Sequence, residues 1–343
     1  MIMAAGVGSR LMPMTADIPK PMIPMANRPL MANTVQLLRD HCFSSIIANL
    51  HYNADSITSY FGDGNNFGVS LEYSREKELM GTAGGVKCCE WFLDDTFIIV
   101  SGDALTDINL TTLVGAHKRQ GALATIALKE VQNVENFGIV ITDEQGVIQS
   151  FQEKPRAAEA LSRVANTGIY VFEPEIFKYI PRSQFYDFGK QVFPQLVKMN
   201  APFYGVQVED YWCDVGNIVT YRQAHADVLN GKVRVNLEGR LSLLDESAKV
   251  LLGLGVQIGK NVNFTGNVVI GAGCRLGDNV TISDSVLWND TVVGDGIIVE
   301  DAIIGARCEI NTGSCIAAGA AIASGTFVSG ALSNQNNECK LKS

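Results

Sequence analysis

The stretch GVQIGKNVNFTGNVVIGAGCRLGDNV, residues 255–280, sets an apolar side chain at every sixth position and fills the intervals largely with Gly, Asn and Asp. Counting in sixes from Val256 gives Val262, Val268, Cys274, Val280, Val286, Val292, Ile298, Ile304, Ile310, Ile316, Ile322 and Val328, and only Cys274 is neither Val nor Ile. A sustained hexapeptide period marks a parallel β-helix, each hexad supplying a short strand and a turn. Ile258, Phe264, Ile270, Leu276 and Ile282, two places further on, are expected to flank the inward residues. Three hexads close one coil, so the run from Val256 to Val328 makes about four coils.

Upstream the period changes. MIMAA, SIIANL, VSLEYS and FIIVSGD are short apolar runs separated by helical patterns near 29–41, 54–61 and 83–92, which is the order of βαβ units around a mostly parallel sheet. After Asp107, LATIALKEV, GIVITD, VIQSFQEK and ANTGIYVF follow one another closely and predict antiparallel or mixed strands at the far edge of that sheet. HADVLNG, 225–231, reads as a closing helix with Gly231 as its stop. The expected organisation is an α/β domain over 1–230, a linker over 231–245, the β-helix over 246–330 and a polar tail over 331–343.

Hydrophobic residues make up 47% of the 343 and charged residues 18%, so the bulk of the chain is expected to fold. The net charge of −9 argues against a surface built for a nucleic-acid backbone, although one nucleotide needs only a local basic pocket. With no long apolar window and no signal-like N-terminus, a cytoplasmic protein without membrane contact is expected. The eight cysteines include no CxxC and suggest neither a zinc site nor a disulfide framework; buried free thiols are the plain reading.

The first strand runs into Gly6-Val7-Gly8-Ser9-Arg10-Leu11-Met12-Pro13-Met14-Thr15, and Lys20-Pro21-Met22-Ile23-Pro24 follows. Glycines at a strand end let backbone N–H groups approach phosphate oxygens, and Arg10 and Lys20 supply positive charge; a plain tight turn with surface charges is the alternative. A dinucleotide fingerprint needs a third glycine at position 11, which is Leu, and GxxxxGK[ST] is absent.

Taken together, GxGSRLxPxT and PKPMxP resemble the signature of the sugar-phosphate nucleotidyltransferases, the nucleotide-sugar pyrophosphorylases. Gly81-Thr82-Ala83-Gly84-Gly85, Ser101-Gly102-Asp103, Phe137-Gly138, Phe151-Gln152-Glu153-Lys154-Pro155, Asn166-Thr167-Gly168 and Trp212-Cys213-Asp214-Val215-Gly216 continue the resemblance in the family's order. The most similar branch is the bacterial mannose-1-phosphate guanylyltransferase-like proteins. The resemblance implies a Rossmann-like mixed-sheet catalytic domain followed by a left-handed parallel β-helix.

It also implies a reaction. A sugar-1-phosphate oxygen attacks the α-phosphorus of a nucleoside triphosphate, and pyrophosphate leaves. The attacking group is already ionised, so catalysis reduces to positioning and charge neutralisation. By resemblance, Ala4, Ala5, Gly6, Gly8, Ser9, Arg10, Glu76, Gly81, Thr82 and Asp103 hold the nucleotide, and Gly138, Glu153, Lys154, Asn166 and Thr167 hold the sugar phosphate. Asp103 and Asp214 would bind Mg²⁺, which favours carboxylates, phosphate oxygens and water. Arg10, Lys20, Asp103, Lys154 and Asp214 form the catalytic set. Asp107 is a candidate cap for the helix beginning near 110.

Glu76 stands five before Gly81, where pyrimidine-using relatives often have Gln. A carboxylate accepts from guanine N1–H and its 2-amino group, so the sequence leans toward GTP and mannose-1-phosphate. A thymidylyl or uridylyl enzyme acting on glucose-1-phosphate is the near alternative, and a non-catalytic regulatory subunit is the alternative of another class. An acyltransferase on the β-helix would need a histidine there, and His41, His51, His117 and His225 all precede the repeat. The β-helix is expected to pair subunits into a homo-oligomer, with Phe264, Trp288 and Phe327 as candidate contacts or caps.

Overall fold

A computed structural model describes residues 1–244 and 248–332; position 339 and all but the first two residues of the stretch read as a polar tail lie outside the described residues. The chain divides into two compact units, each made of separate pieces: Met1–Gly6 with Thr34–Asp214, and Val7–Asn33 with Val215–Ser343.

The first unit is built on a nine-stranded mixed sheet. Ile2–Met3 lies between Ser45–Leu50 and Phe97–Ser101, parallel to both, and Ser70–Arg75 extends the parallel part beside Ser45–Leu50. Ser45–Leu50 and Phe97–Ser101 are almost wholly buried, as inner strands of a parallel sheet must be, whereas the edge strand Ser70–Arg75 is mostly polar and partly exposed. Helix Ala54–Phe61 forms as the sequence predicts. Gly81–Lys87 is shorter than its predicted span, since the residues after it continue only as turns.

The mixed part differs from a simple edge insertion. Val164–Phe172 runs antiparallel to Phe97–Ser101 through Phe172↔Phe97, and to Ala124–Glu130 through Phe172↔Ala124, so it is an interior strand. Its start pairs with Gly138–Thr142, which in turn pairs with Ile148–Glu153. An irregularity between Asn166 and Tyr170 lets one strand serve both neighbours. Phe203–Gln207, not singled out in the sequence, pairs parallel with Ala124–Glu130. Phe172, Phe188, Phe193 and Phe203 are each at most 1% exposed and stack beneath this region, with ring centroids 5.1 Å apart for Phe172–Phe188 and for Phe193–Phe203. Burial on this scale contributes about 2–3 kcal/mol per ring before entropy.

The second unit is the β-helix together with helix Ile218–Leu229 and the Val7–Asn33 segment. The helix starts seven residues before its predicted position at 225. Asn217 caps it, accepting from Thr220 N–H at 2.9 Å while the Thr220 hydroxyl accepts from Asn217 N–H at 3.1 Å; this reciprocal cap was missed because Thr replaces the usual Glu or Gln. Within the stretch read as a linker, Arg240–Leu244 forms a strand antiparallel to Ala248–Leu252, which opens the coil by pairing parallel with Asn263–Ile270.

The hexad register is not continuous. Gln257 pairs with Arg275, a step of 18, but Arg275 pairs with Val292 and Val292 with Glu309, steps of 17, before Glu309↔Phe327 restores 18. Two sides are therefore one residue short. Val268, Cys274 and Val280 point inward as counted, but Val292 falls outside the interior cluster and Ile298 is 62% exposed, while Val293, Ile297 and Val299 fill the interior. From Ile304 onward the counted residues are inward again, at the second inward place of each side. Ser285 and Thr291 occupy inward places, and their hydroxyls donate to Ser283 O at 2.6 Å and Gly305 O at 2.8 Å. Ile258, expected as a flanking core residue, is 43% exposed.

One outward ladder, Val269–Val286–Ile303, is also buried, at 0–2% exposure. Helix Ile218–Leu229 lies on this side of the coil, with Trp288 Nε1 donating to Tyr221 Oη at 3.0 Å and Arg222 donating to Asp301 O. The chain covers this face itself, so it is not available to a second subunit. Trp288 belongs to this internal contact, Phe264 packs on the coil interior and Phe327 is exposed.

The cysteines are less uniformly buried than expected. Cys89, Cys274 and Cys308 are buried, Cys213 is half-buried, and Cys42, Cys88 and Cys315 are exposed; all seven are free thiols.

Candidate active site

Within the first unit, the sequence-predicted residues collect at the carboxyl ends of the parallel strands, where open α/β sheets bind ligands. Ala4 follows Ile2–Met3, Glu76 follows Ser70–Arg75, and Asp103 follows Phe97–Ser101. Asn49, at the end of Ser45–Leu50, ties them together. Its Oδ1 accepts from Ala4 N–H at 2.9 Å and its Nδ2 donates to Glu76 Oε1 at 2.7 Å. Glu76 Oε2 accepts from Met80 N–H at 3.0 Å, and His51 Nδ1 donates to the Glu76 carbonyl at 2.9 Å. One carboxylate oxygen is thus held by the strand end at Asn49 while the other braces the start of the glycine loop. Asn49 was missed, although a polar side chain inside a buried strand is a signal that it satisfies something.

The glycine loop becomes helix Gly81–Lys87, in whose first turn Ala83 N–H and Gly84 N–H both donate to Tyr186 O at 3.0 Å. Gly81 is at φ +77°, and a Cβ there would stand 2.5 Å from Tyr186 O, so no other residue fits. The Thr82 hydroxyl donates to Asp187 at 2.9 Å and accepts from Phe188 N–H at 2.9 Å. Tyr186 and Asp187 carry no motif and were not found from sequence. Ala5 is buried, and a Cβ at Gly6 would meet no protein atom within 4 Å, so packing does not explain glycine at position 6.

Strand register sets Asp214 beside the turn that carries Asp103. Trp212–Asp214 pairs antiparallel with Ala104–Thr106, with Asp214 opposite Ala104, the neighbour of Asp103. Ser101 Oγ donates to Asp103 Oδ1 and orients it. Asp107 does not cap the following helix; Asn109 does, accepting from Thr112 N–H at 2.9 Å. Asp107 instead accepts from Tyr211 N–H at 2.9 Å and holds the ribbon. Two carboxylates with a neighbouring hydroxyl suit a hard cation that completes its shell with phosphate and water. Among the described residues no three His, Cys, Asp or Glu side chains converge as a metal cage.

The sugar-phosphate motifs also converge. Glu153 pairs with Gly138, and a Cβ at 138 would come within 3.3 Å of Glu153 Oε2, so the two motifs lie side by side. Lys154 sits at φ +47°, a left-handed conformation costly for lysine, with Nζ 3.8 Å from Glu153 Oε1. Asn166 Oδ1 accepts from Gly168 N–H at 2.9 Å, and its Nδ2 donates to Tyr170 Oη at 3.2 Å. Thr167 is 3% exposed and donates to Ala127 O at 2.7 Å, so its hydroxyl is committed inside the sheet. Trp212 joins these motifs, donating to Thr167 O at 3.0 Å and meeting Phe137 edge-on at 5.4 Å.

In the second unit, Gly8, Ser9, Arg10 and Lys20 lie on the Val7–Asn33 segment. Gly8 is at φ +71°, and a Cβ there would stand 2.8 Å from Lys20 Cβ, so glycine is required on both counts. The Gly8 carbonyl accepts from Thr15 Oγ1 at 2.9 Å and from Leu11 N–H at 3.0 Å, closing the Ser9–Leu11 turn. Arg10 and Ser9 are exposed, and Lys20 is 4% exposed.

Comparison with known proteins adds to this geometry. The family model described as nucleotidyl transferase matches residues 1–231, and the EIF2B subunit epsilon LbH domain, a left-handed β-helix, matches 235–333. The chain is 43% identical over 287 residues to a UTP–glucose-1-phosphate uridylyltransferase from Synechocystis, covering 79% of this chain and 73% of that protein. It is 30% identical over 223 residues to the mannose-1-phosphate guanylyltransferase catalytic subunit beta of Drosophila pseudoobscura, covering 63% of this chain and 58% of that protein. A crystal structure from Bacillus anthracis, provisionally described as a glucose-1-phosphate thymidylyltransferase, aligns with a TM-score of 0.61 at 25% identity, covering 68% of this chain and 96% of that one. No helix among the described residues is long and apolar enough to cross a membrane.

Proposed function

Because the chain belongs to the nucleotidyl transferase family, whose model spans residues 1–231, we propose that this sugar-1-phosphate nucleotidyltransferase makes UDP-glucose from UTP and glucose-1-phosphate. The observation that carries the choice of substrates is the 43% identity to a uridylyltransferase over 79% of the chain, extending past the catalytic part into the β-helix.

In this reading a phosphate oxygen of the sugar-1-phosphate attacks the α-phosphorus, the bond to the bridging oxygen breaks, and pyrophosphate leaves. Arg10 and Lys20 neutralise the triphosphate; Lys154 holds the sugar phosphate and Glu153 accepts from sugar hydroxyls. With no packing reason for Gly6, its bare backbone serves the close approach of phosphate. Asp103 and Asp214 would hold Mg²⁺, which supplies charge neutralisation on the phosphates when bound.

GTP with mannose-1-phosphate is the second reading, favoured by a carboxylate at Glu76 and by the guanylyltransferase relatives. Against it, both Glu76 oxygens already accept donors from the protein. Self-association through the β-helix remains part of the proposal and would use its exposed sides, where Ile298 and Phe327 are 62% and 56% exposed.

The test is pyrophosphate release with magnesium, crossing UTP, dTTP, GTP, ATP and CTP against glucose-1-phosphate and mannose-1-phosphate. A dominant UTP and glucose-1-phosphate signal is expected. GTP with mannose-1-phosphate would install the second reading. Nucleotide binding without turnover on any pair would identify a regulatory subunit instead.

A further inference from the structure

The segment bearing Arg10 and Lys20 belongs to the same compact unit as the β-helix, and named contacts hold it there. Ala26 and Asn27 form the tip of a hairpin, at φ +52° and +68°, between Pro24–Met25 and Arg28–Pro29. Asn27 Nδ2 donates to Ile270 O and to Glu238 O, each at 3.1 Å, and Ala26 O accepts from Glu238 N–H at 3.1 Å. The tip is thereby clamped to a strand of the coil and to the segment leading into it.

A second tie reaches Pro24, four residues after Lys20. Its carbonyl accepts from Tyr221 Oη and from His225 Nε2, the latter at 3.1 Å. Tyr221 Oη in turn accepts from Trp288 Nε1 at 3.0 Å. Tyr221, His225 and Trp288 are each at most 3% exposed, so the chain of bonds is shielded from water. Pro24 connects back to Lys20 through a tight turn in which Ile23 N–H donates to Lys20 O at 3.2 Å. A donor–acceptor relay in a dry setting holds its ends in one arrangement more strongly than isolated pairs would.

We infer that Trp288, Tyr221 and Asn27 are positioning residues for the nucleotide, fixing through the Pro24 carbonyl and the hairpin tip where Lys20 and Arg10 stand. On this view the β-helix is a frame for the two cationic side chains that meet the triphosphate. The inference rests on the reading that Arg10 and Lys20 bind the triphosphate.

The experiment uses full-length Tyr221→Phe, Trp288→Phe and Asn27→Gly, with Lys20→Ala as the reference. Asn27→Gly keeps the positive φ available and removes only the side-chain clamp, so it stays informative if a buried variant fails to fold. Each folded variant is expected to raise KM for the nucleotide about tenfold, about 1.4 kcal/mol of nucleotide binding. KM for the sugar-1-phosphate should stay within about twofold, a split that general loosening would not produce. Unchanged nucleotide KM in folded Asn27→Gly and Tyr221→Phe, while Lys20→Ala is crippled, overturns the positioning role. Equal loss for both substrates overturns it as well, by showing a structural effect alone. Lys20→Ala with normal nucleotide KM would fail the reading of the phosphate segment itself, and the inference with it.

Discussion

Asn49 and Glu76 form a 2.7 Å hydrogen bond that locks three strand ends of the catalytic sheet to the glycine loop, because Asn49 also accepts from Ala4 and Glu76 also accepts from Met80. The Asn49 amide cannot turn over without losing Ala4. Glu76→Gln must therefore set its own NH₂ against either Asn49 Nδ2 or Met80 N–H. The expected outcome is destabilisation by about 1–3 kcal/mol and a raised KM for every nucleotide alike. Urea unfolding and a GTP-to-UTP comparison check it; a change confined to the base ratio would restore Glu76 as a base reader.

Asp214 pairs through its backbone with Ala104, the neighbour of Asp103, so replacing either carboxylate leaves the ribbon's backbone pairing intact. Asp103→Asn and Asp214→Asn should each lower kcat by at least about a hundredfold, the scale of removing a group that stabilises developing charge. Far-UV circular dichroism and Tm should be near wild type. Full magnesium-dependent turnover in either variant would remove that residue from the mechanism.

His225 is buried, its Nε2 carries the proton given to Pro24 O, and its Nδ1 has no partner among the described residues. Burial lowers its pKa from 6.5 to about 4. Since the folded form binds the proton more weakly than the unfolded chain, stability is complete above about pH 6.5 and falls as pH drops toward 4. The loss from this group is about 3 kcal/mol. His117 is shifted the same way by burial, against the pull of Glu173. Unfolding free energies at pH 7 and 4.5 should differ by less in His225→Gln, which can still donate to Pro24; an identical pH slope in both proteins would refute the assignment.

Ile298 continues the six-residue count but lies outside, whereas its neighbour Val299 is fully buried. Ile298→Asn is expected to change stability by no more than about 0.5 kcal/mol, and Val299→Ala to cost about 2 kcal/mol. Thermal unfolding of the two variants decides it. The reverse order would restore the uninterrupted register.

Much of the architecture was legible because it is written in local periods. Alternating apolar runs foretold the parallel strands, and the six-residue recurrence foretold the coil. The two short sides are hidden in the sequence because Val286, Val292 and Ile298 keep the six-residue count on outward positions, where β-branched residues are equally at home in strands. The start of the helix closing the catalytic part is hidden in the sequence because it depends on an Asn217–Thr220 exchange of hydrogen bonds rather than on hydrophobic spacing.

The sequence by itself determined the family, the coil and the chemical kinds of residue available, since motifs and periods are properties of the chain read in order. Only the tertiary structure decided which of those residues are committed to the protein. It bound Glu76 to Asn49 and Met80 and turned the Thr167 hydroxyl into the sheet. It also joined the Lys20 segment to the β-helix through Tyr221 and Asn27. Partners so distant in sequence leave no local pattern, because a hydrogen bond depends on positions that exist only once the strands and coils have packed.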